Sequence, residues 1–152
     1  MNIRPATPAD APALAALASA FRDHLQRPVP TDAQFLASIE GLLAGGDAEF
    51  LLLEEGAPAG YVLLRFRHSM WASGMEATLE DLFVHPERRG RGFGRDLVAA
   101  ALERARERGC ATICLDTNEH NAPSQAIYRS FGFSAFSRRW NGNQVFHRRA
   151  LP

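Results

Sequence analysis

The chain is short of cysteine, of net charge and of long apolar runs, and each shortage excludes something. Cys110 and Cys114 are its only cysteines, and no second pair or histidine partner stands at the spacing of a zinc site or a disulfide framework. They are expected to be buried structural thiols. Lys and Arg together number 17, as do Asp and Glu, so no net field draws the molecule to nucleic acid or to an anionic membrane, and neither partner is expected. No apolar run reaches the ~18 residues of a membrane span. The Ala/Leu-rich stretch 11–20 opens with Asp10 and Pro12 close by and has no basic leader, unlike a signal peptide. Cytoplasmic residence is the default expectation. The five histidines, His24, His68, His85, His120 and His147, are scattered without ligand spacing, so no metal is expected, and His85 reads as a turn residue.

Against those shortages, 46% of the 152 residues are apolar, enough for one domain, 1–152, with its own core. No internal repeat or low-complexity linker divides it. Asn2 to Ala6 ends at proline and suits an edge strand. Thr7 and Pro8 read as the cap and first position of a helix whose Leu14, Leu17, Phe21 and Leu25 form one buried stripe. Pro28 and Pro30 break the pattern. Thr31 or Asp32 then caps a second helix carrying Phe35, Leu36, Ile39, Leu42 and Leu43 toward Gly45 and Gly46. Phe50 to Leu53 and Tyr61 to Phe66 read as a hairpin around Gly56 and Gly60, with Ala77 to Val84 as a further antiparallel strand.

From Phe93 to Arg108 the apolar residues Phe93, Leu97, Val98, Ala101, Leu102 and Ala105 share a helical face, and Gly109 ends the helix. With the short strand 111–115 that follows, residues 79–115 form a strand, glycine loop, helix and strand. A crossover of that length implies a parallel pair. Residues 124–129 read as a short helix ended by Gly132, and 145–149 as a final strand. The fold class is therefore α+β, a twisted mixed sheet flanked by helices with one βαβ unit.

The chemistry concentrates in Arg89-Gly90-Arg91-Gly92-Phe93-Gly94. Alternating glycines between a strand and a helix expose backbone N–H groups, the helix adds its unpaired N–H groups and dipole, and Arg89 and Arg91 add charge. An anion cradle is one reading. A tight turn with solvated arginines is the other. A P-loop needs Lys followed by Ser or Thr after its last glycine, where Arg95-Asp96 stand, and a dinucleotide fingerprint needs a glycine at a further offset that is missing.

What is left is Arg89, two residues, Gly92, one residue, Gly94. This resembles the acetyl-CoA signature of the GNAT superfamily of N-acetyltransferases. The segment from Leu79-Glu80-Asp81-Leu82-Phe83-Val84 through His85-Pro86-Glu87-Arg88-Arg89 looks like that family's preceding strand. The segment from Asn121-Ala122-Pro123-Ser124 through Tyr128 to Phe131-Gly132-Phe133 looks like its later motif. The resemblance covers 79–133; upstream, only the element order matches. The Leu-Glu-Asp-Leu-Phe-Val run, with Trp71 upstream, is similar to the branch holding polyamine (spermidine/spermine) and histone-type acetyltransferases.

The resemblance implies a GNAT-like fold and transfer of an acetyl group from acetyl-CoA, as cosubstrate, to a primary amine by direct attack on the thioester. A small-molecule amine or polyamine is favoured. Modification of protein lysines or N-terminal amines is one alternative, and a non-catalytic CoA-binding module is another. The site it implies comprises Arg89, Gly90, Arg91, Gly92, Phe93, Gly94 and Arg95 for the pyrophosphate. Backbone groups of Leu82, Phe83 and Val84 would pair with the pantetheine arm like an added strand. Asn121 and Ser124 stand near that arm, with an N-cap as the alternative role for Asn121.

An alkylamine with a pKa of about 10 attacks only as its free base. Glu80 is the candidate base, directly or through water, against a plain ion-paired carboxylate. Asp81 is expected on the opposite face of the strand, because neighbours alternate. Tyr128, a phenol of pKa about 10, is the candidate acid for a departing thiolate whose conjugate acid lies at about 8.5, against a packing role beside Phe131 and Phe133. Homodimerisation through the C-terminal strand or helix faces is compatible with the sequence, which does not specify it.

Overall fold

The computed structural model describes all 152 residues, which fall into two compact units, 1–115 and 116–152. The first unit holds β1 (Asn2–Pro5), α1 (Ala11–His24), α2 (Asp32–Ala44), β2 (Ala48–Glu54), β3 (Pro58–Ser69), β4 (Gly74–Val84), α3 (Phe93–Glu107) and β5 (Thr112–Leu115). The second holds α4 (Ala122–Ser130) and a two-stranded ribbon of β6 (Phe136–Ser137) and β7 (Gly142–Asn143).

Sheet order in the first unit is β1-β2-β3-β4-β5. The first four strands are antiparallel to their neighbours, and β5 runs parallel to β4. The glycine-loop helix α3 makes that crossover, as the strand-loop-helix-strand pattern predicts. Alternate residues of β2 and β3 feed two faces. Phe50, Leu52, Tyr61 and Leu63 join Phe83 of β4 under Leu14 and Leu17 of α1 and Ile39 of α2. The opposite face receives α3, whose Phe93, Leu97, Val98, Ala101 and Ala105 are buried, while Leu102 of the expected stripe is only half-buried.

Local signals explain the boundaries. Thr7 and Asp10 cap a single 3-10 turn, Pro8–Asp10, which leads into α1. At α2 the Thr31 hydroxyl accepts from the Gln34 amide and the Gln34 side chain returns a bond to the Thr31 N–H, a closed capping box. α3 ends where Gly109 takes φ +72° and the Cys110 N–H reaches back to the Ala105 carbonyl. Gly60 sits where a Cβ would lie 2.6 Å from the Phe83 carbonyl oxygen, so only glycine lets β3 and β4 approach there.

Three sequence expectations are corrected. Leu25 does not extend the buried stripe of α1: it is the residue after the last helical turn and is 54% exposed. Residues 145–149 form no strand, and Val145 and Phe146 are exposed; the second unit's ribbon uses Phe136–Ser137 and Gly142–Asn143 instead. Cys110 is half-buried and Cys114 exposed, because β5 carries its residues on a sheet edge where only Ile113 and Leu115 are partly covered.

Candidate active site

The loop between β4 and α3 opens with a 3-10 turn, Pro86–Arg88, entered through His85. The His85 N–H donates to the Ala59 carbonyl and its ring meets the edge of Phe83, the turn role expected of it. Gly90 (φ +77°) and Gly92 (φ +84°) both take left-handed backbone, a conformation that other residues adopt only under strain. Gly92 is the N-cap of α3, so Phe93, Gly94 and Arg95 are its first-turn residues, whose N–H groups have no carbonyl to bond within the helix. The Phe93 side chain is itself core, 7% exposed. Only its backbone is offered to a ligand.

The loop arginines are already disciplined. Arg89 donates from Nε to the Val84 carbonyl at 3.0 Å, and its Nη1 lies 3.2 Å from His24 Nε2. Arg88 and Arg91 converge on one carboxylate oxygen of Glu55, at 2.9 and 2.8 Å. Exposed guanidiniums and helix-start amides thus share one end of the sheet, the chemistry a pyrophosphate requires.

β4 supplies the second part. It pairs with β5 only over Glu76 to Leu79, whereas its pairing with β3 continues to Val84. From Glu80 onward the strand keeps one edge without a strand neighbour, and Leu82 to Val84 lie on that stretch. The Val84 carbonyl is used by Arg89. On this edge the Leu82 N–H bonds the Asp81 carboxylate, which leaves the Leu82 carbonyl facing outward.

The β3-β4 register shifts here: Leu63 faces Asp81 and Leu64 faces Leu79, so Glu80 is the extra residue of a β-bulge. Asp81 is therefore not on the opposite face from Glu80, as strict alternation requires. The inserted residue turns Asp81 toward the face of Leu63, Tyr61 and Phe83. There the Tyr61 hydroxyl donates to Asp81 Oδ2 at 2.5 Å. Burial pushes the Asp81 carboxyl above the usual carboxylate range, helped by the charge of Glu80 and opposed by the bonds from Tyr61 and the Leu82 N–H. Burial and the Asp81 charge likewise push the Tyr61 phenol up. Glu80 is exposed and stands 3.6 Å from Arg65, an ion pair beyond hydrogen-bond distance. Sequence reasoning missed the Tyr61–Asp81 pair; only the spacing of Tyr61 within its strand hinted at it.

In the second unit, the Asn121 side chain accepts from the Ser124 amide at 3.3 Å, making Asn121 the N-cap of α4. Tyr128 is 8% exposed and packs edge-on against Phe133 at 5.9 Å. The Phe133 N–H also bonds the Tyr128 carbonyl, past Gly132 at φ +87°. Asn121 capping and Tyr128 packing are therefore both present. No helix of either unit is long and apolar enough to cross a membrane.

A mixed sheet whose parallel pair parts beyond Leu79, with a left-handed glycine loop opening the crossover helix, is the framework of an acyl-transferring class of enzyme. The acetyltransferase (GNAT) family profile matches residues 14–133, and the chain belongs to that family of acetyl-CoA-dependent N-acetyltransferases. It is 33% identical over 142 residues to an aminoglycoside N(6')-acetyltransferase type 1 of Stenotrophomonas maltophilia, covering 90% of this chain and 88% of that one. A thialysine N-epsilon-acetyltransferase of Bos taurus is 34% identical over 73 residues, 48% of this chain and 42% of that one. Among solved structures, aminoglycoside N-acetyltransferase AAC(6')-Iy in complex with CoA superposes with a TM-score of 0.77 at 25% identity, covering 99% of this chain and 95% of that one.

Proposed function

We propose that this chain, acting as one domain, acetylates a primary amine on a small molecule bearing several amino groups, an aminoglycoside-like or polyamine-like acceptor, in the cytoplasm. The observation that carries the reading is the conjunction on one strand of a ligand-pairing edge, a carboxylate-bearing bulge and a glycine loop opening α3. Similarity over 90% of the chain to a protein named for aminoglycoside acetylation supports a small, amine-rich acceptor. The shorter match to a thialysine acetyltransferase also supports a small amine, and it leans the reading away from the histone-type side of the polyamine branch.

In this reading the amides of Gly90 to Arg95 and the guanidiniums of Arg89 and Arg91 hold the pyrophosphate. The backbone of Leu82 and Phe83 aligns the pantetheine arm, and an N–H of that edge polarises the thioester carbonyl as charge gathers on its oxygen. Asn121 and Ser124, which order the start of α4, are the residues that the family's later motif assigns to the arm. Glu80 draws in the ammonium and receives its proton, directly or through a water. Tyr128 protonates the departing thiolate. No metal takes part.

A thiol-release assay with acetyl-CoA and polyamines, aminoglycosides, amino acids and lysine peptides tests this. Turnover confined to small amines is expected. Preference for the peptides would make the chain a protein modifier, and acetyl-CoA binding without turnover on any amine would leave a CoA-binding module.

A further inference from the structure

Phe21 and His24 close the helix α1 and, one turn apart, share a face of it. Phe21 stacks on Phe83 of β4 with ring centroids 4.9 Å apart. The Arg89 guanidinium lies over the same Phe83 ring, 5.8 Å from its centroid, and His24 Nε2 meets that guanidinium at 3.2 Å from Nη1. One helix face thus touches both the ring and the arginine that rests on it. Arg22 and Asp23, the residues between, are turned to each other and to Asp32 of α2.

We infer that His24 is a positioning residue for acetyl-CoA: its neutral imidazole accepts a hydrogen bond from Arg89 and holds that guanidinium ready for the pyrophosphate. The inference rests on the acetyltransfer reading above, in which Arg89 meets the diphosphate. A guanidinium only donates, so Nε2 is the acceptor and the ring carries its proton on Nδ1. Arg89 spends Nε on the Val84 carbonyl and one Nη1 hydrogen on His24. Its remaining N–H groups are left for phosphate oxygens. A free surface arginine gives up side-chain freedom when it grips an anion. Here Val84, Phe83 and His24 restrict the side chain before the ligand arrives, which raises affinity without any contact of their own to the phosphate.

The hold depends on the protonation of His24. A protonated imidazole has no acceptor and sets a second cation 3.2 Å from Arg89, so the contact is lost as pH falls through the range in which imidazoles take up a proton. The other charged groups of the surrounding elements are engaged elsewhere or lie in solvent. Arg22 pairs with Asp23 and Asp32, and Arg88 and Arg91 pair with Glu55. The ring of His85 meets the edge of Phe83. Arg27, past the end of α1, and Glu87, in the 3-10 turn, are exposed. Arg89 is the charged group in contact with the His24 ring.

The test measures acetyl-CoA binding by calorimetry in the full chain, at about pH 7.5 and about pH 5.5, for the parent, His24→Leu, His24→Gln, Arg89→Ala and the double variant His24→Leu/Arg89→Ala. At the higher pH, His24→Leu is expected to weaken binding about 3- to 10-fold, raising KM for acetyl-CoA while kcat moves less than about twofold. His24→Gln, whose amide oxygen accepts from Arg89 and does not titrate, should recover most of that loss. On acidification the parent should lose affinity relative to His24→Gln, a comparison in which titration of the CoA phosphates cancels. In the Arg89→Ala background, His24→Leu should cost nothing further. An equal loss with and without Arg89, or no loss in His24→Leu, overturns the proposal while the acetyltransfer reading stands. So does a parent that gains affinity over His24→Gln at low pH, since the charged ring would then be a phosphate ligand itself. If His24→Leu fails to fold, the pH comparison with His24→Gln decides the matter. A parent that binds no acetyl-CoA overturns the underlying reading as well.

Discussion

Gly92 carries two burdens at once, a left-handed backbone at φ +84° and the N-cap of α3. A Cβ there meets nothing within 4 Å, so Gly92→Ala is opposed by conformation and not by packing. Strain of about 1–2 kcal/mol is expected, read as a lowered midpoint in chemical denaturation, together with weaker acetyl-CoA binding in calorimetry because the loop amides shift. Asp81 has the opposite signature. Its folded pKa lies above the unfolded value, so its charged form costs stability at neutral pH, and that cost fades as pH falls through the folded pKa. Asp81→Asn should therefore melt no lower than the parent at pH 7, and a clearly lower melting temperature would contradict this. Asp10 behaves in reverse. Arg4 and the Thr7 N–H hold its carboxyl well below the usual range, so its stabilising contribution is present above about pH 4 and lost as pH falls further.

Elements were legible in proportion to how local their causes are. The stripe of α3, the Thr31 cap of α2 and the Gly109 and Gly132 stops all arise within a few residues, and all stand where the sequence puts them. The bulge at Glu80 does not, since it depends on how β3 meets β4, and Leu79-Glu80-Asp81-Leu82 read alone looks like plain alternation. The segment 145–149 reads as a strand but joins no ladder, and Val145 and Phe146 remain exposed. Gly60 tests the strand packing that sets the site: Gly60→Ala drives a Cβ to 2.6 Å from the Phe83 carbonyl. The strands must part, at a cost of about 1–3 kcal/mol, measurable by denaturant titration. Acetyl-CoA affinity should fall with it, because Phe83 lies on the proposed ligand edge.

For the whole molecule, all 17 basic residues are arginine and none is lysine. An acetyltransferase built this way has no side-chain amine to compete with its acceptor. Prolonged incubation with acetyl-CoA should leave every internal peptide unacetylated in mass spectrometry. Arginine also suits the structural ion pairs, such as Arg104 of α3 and Arg108 at its C-cap gathered on Glu49 of β2. Ligand binding should act on the molecule's stability through linkage. Acetyl-CoA at about 100 times its Kd should stabilise the fold by about 2.7 kcal/mol, seen as a rise in melting temperature that acetate alone does not produce.

By itself the sequence determined what depends on residue type and short spacing: the glycine turn that can take left-handed backbone, the helix behind it, the parallel crossover and the paired motifs of the family. The tertiary structure alone decided what depends on register and neighbours. It parted β5 from β4 beyond Leu79, inserted Glu80 as a bulge, turned Asp81 onto Tyr61 and left Glu80 at the surface. Backbone preference is a property of a few consecutive residues, whereas the face a carboxylate occupies is settled by a strand fifteen or more residues away.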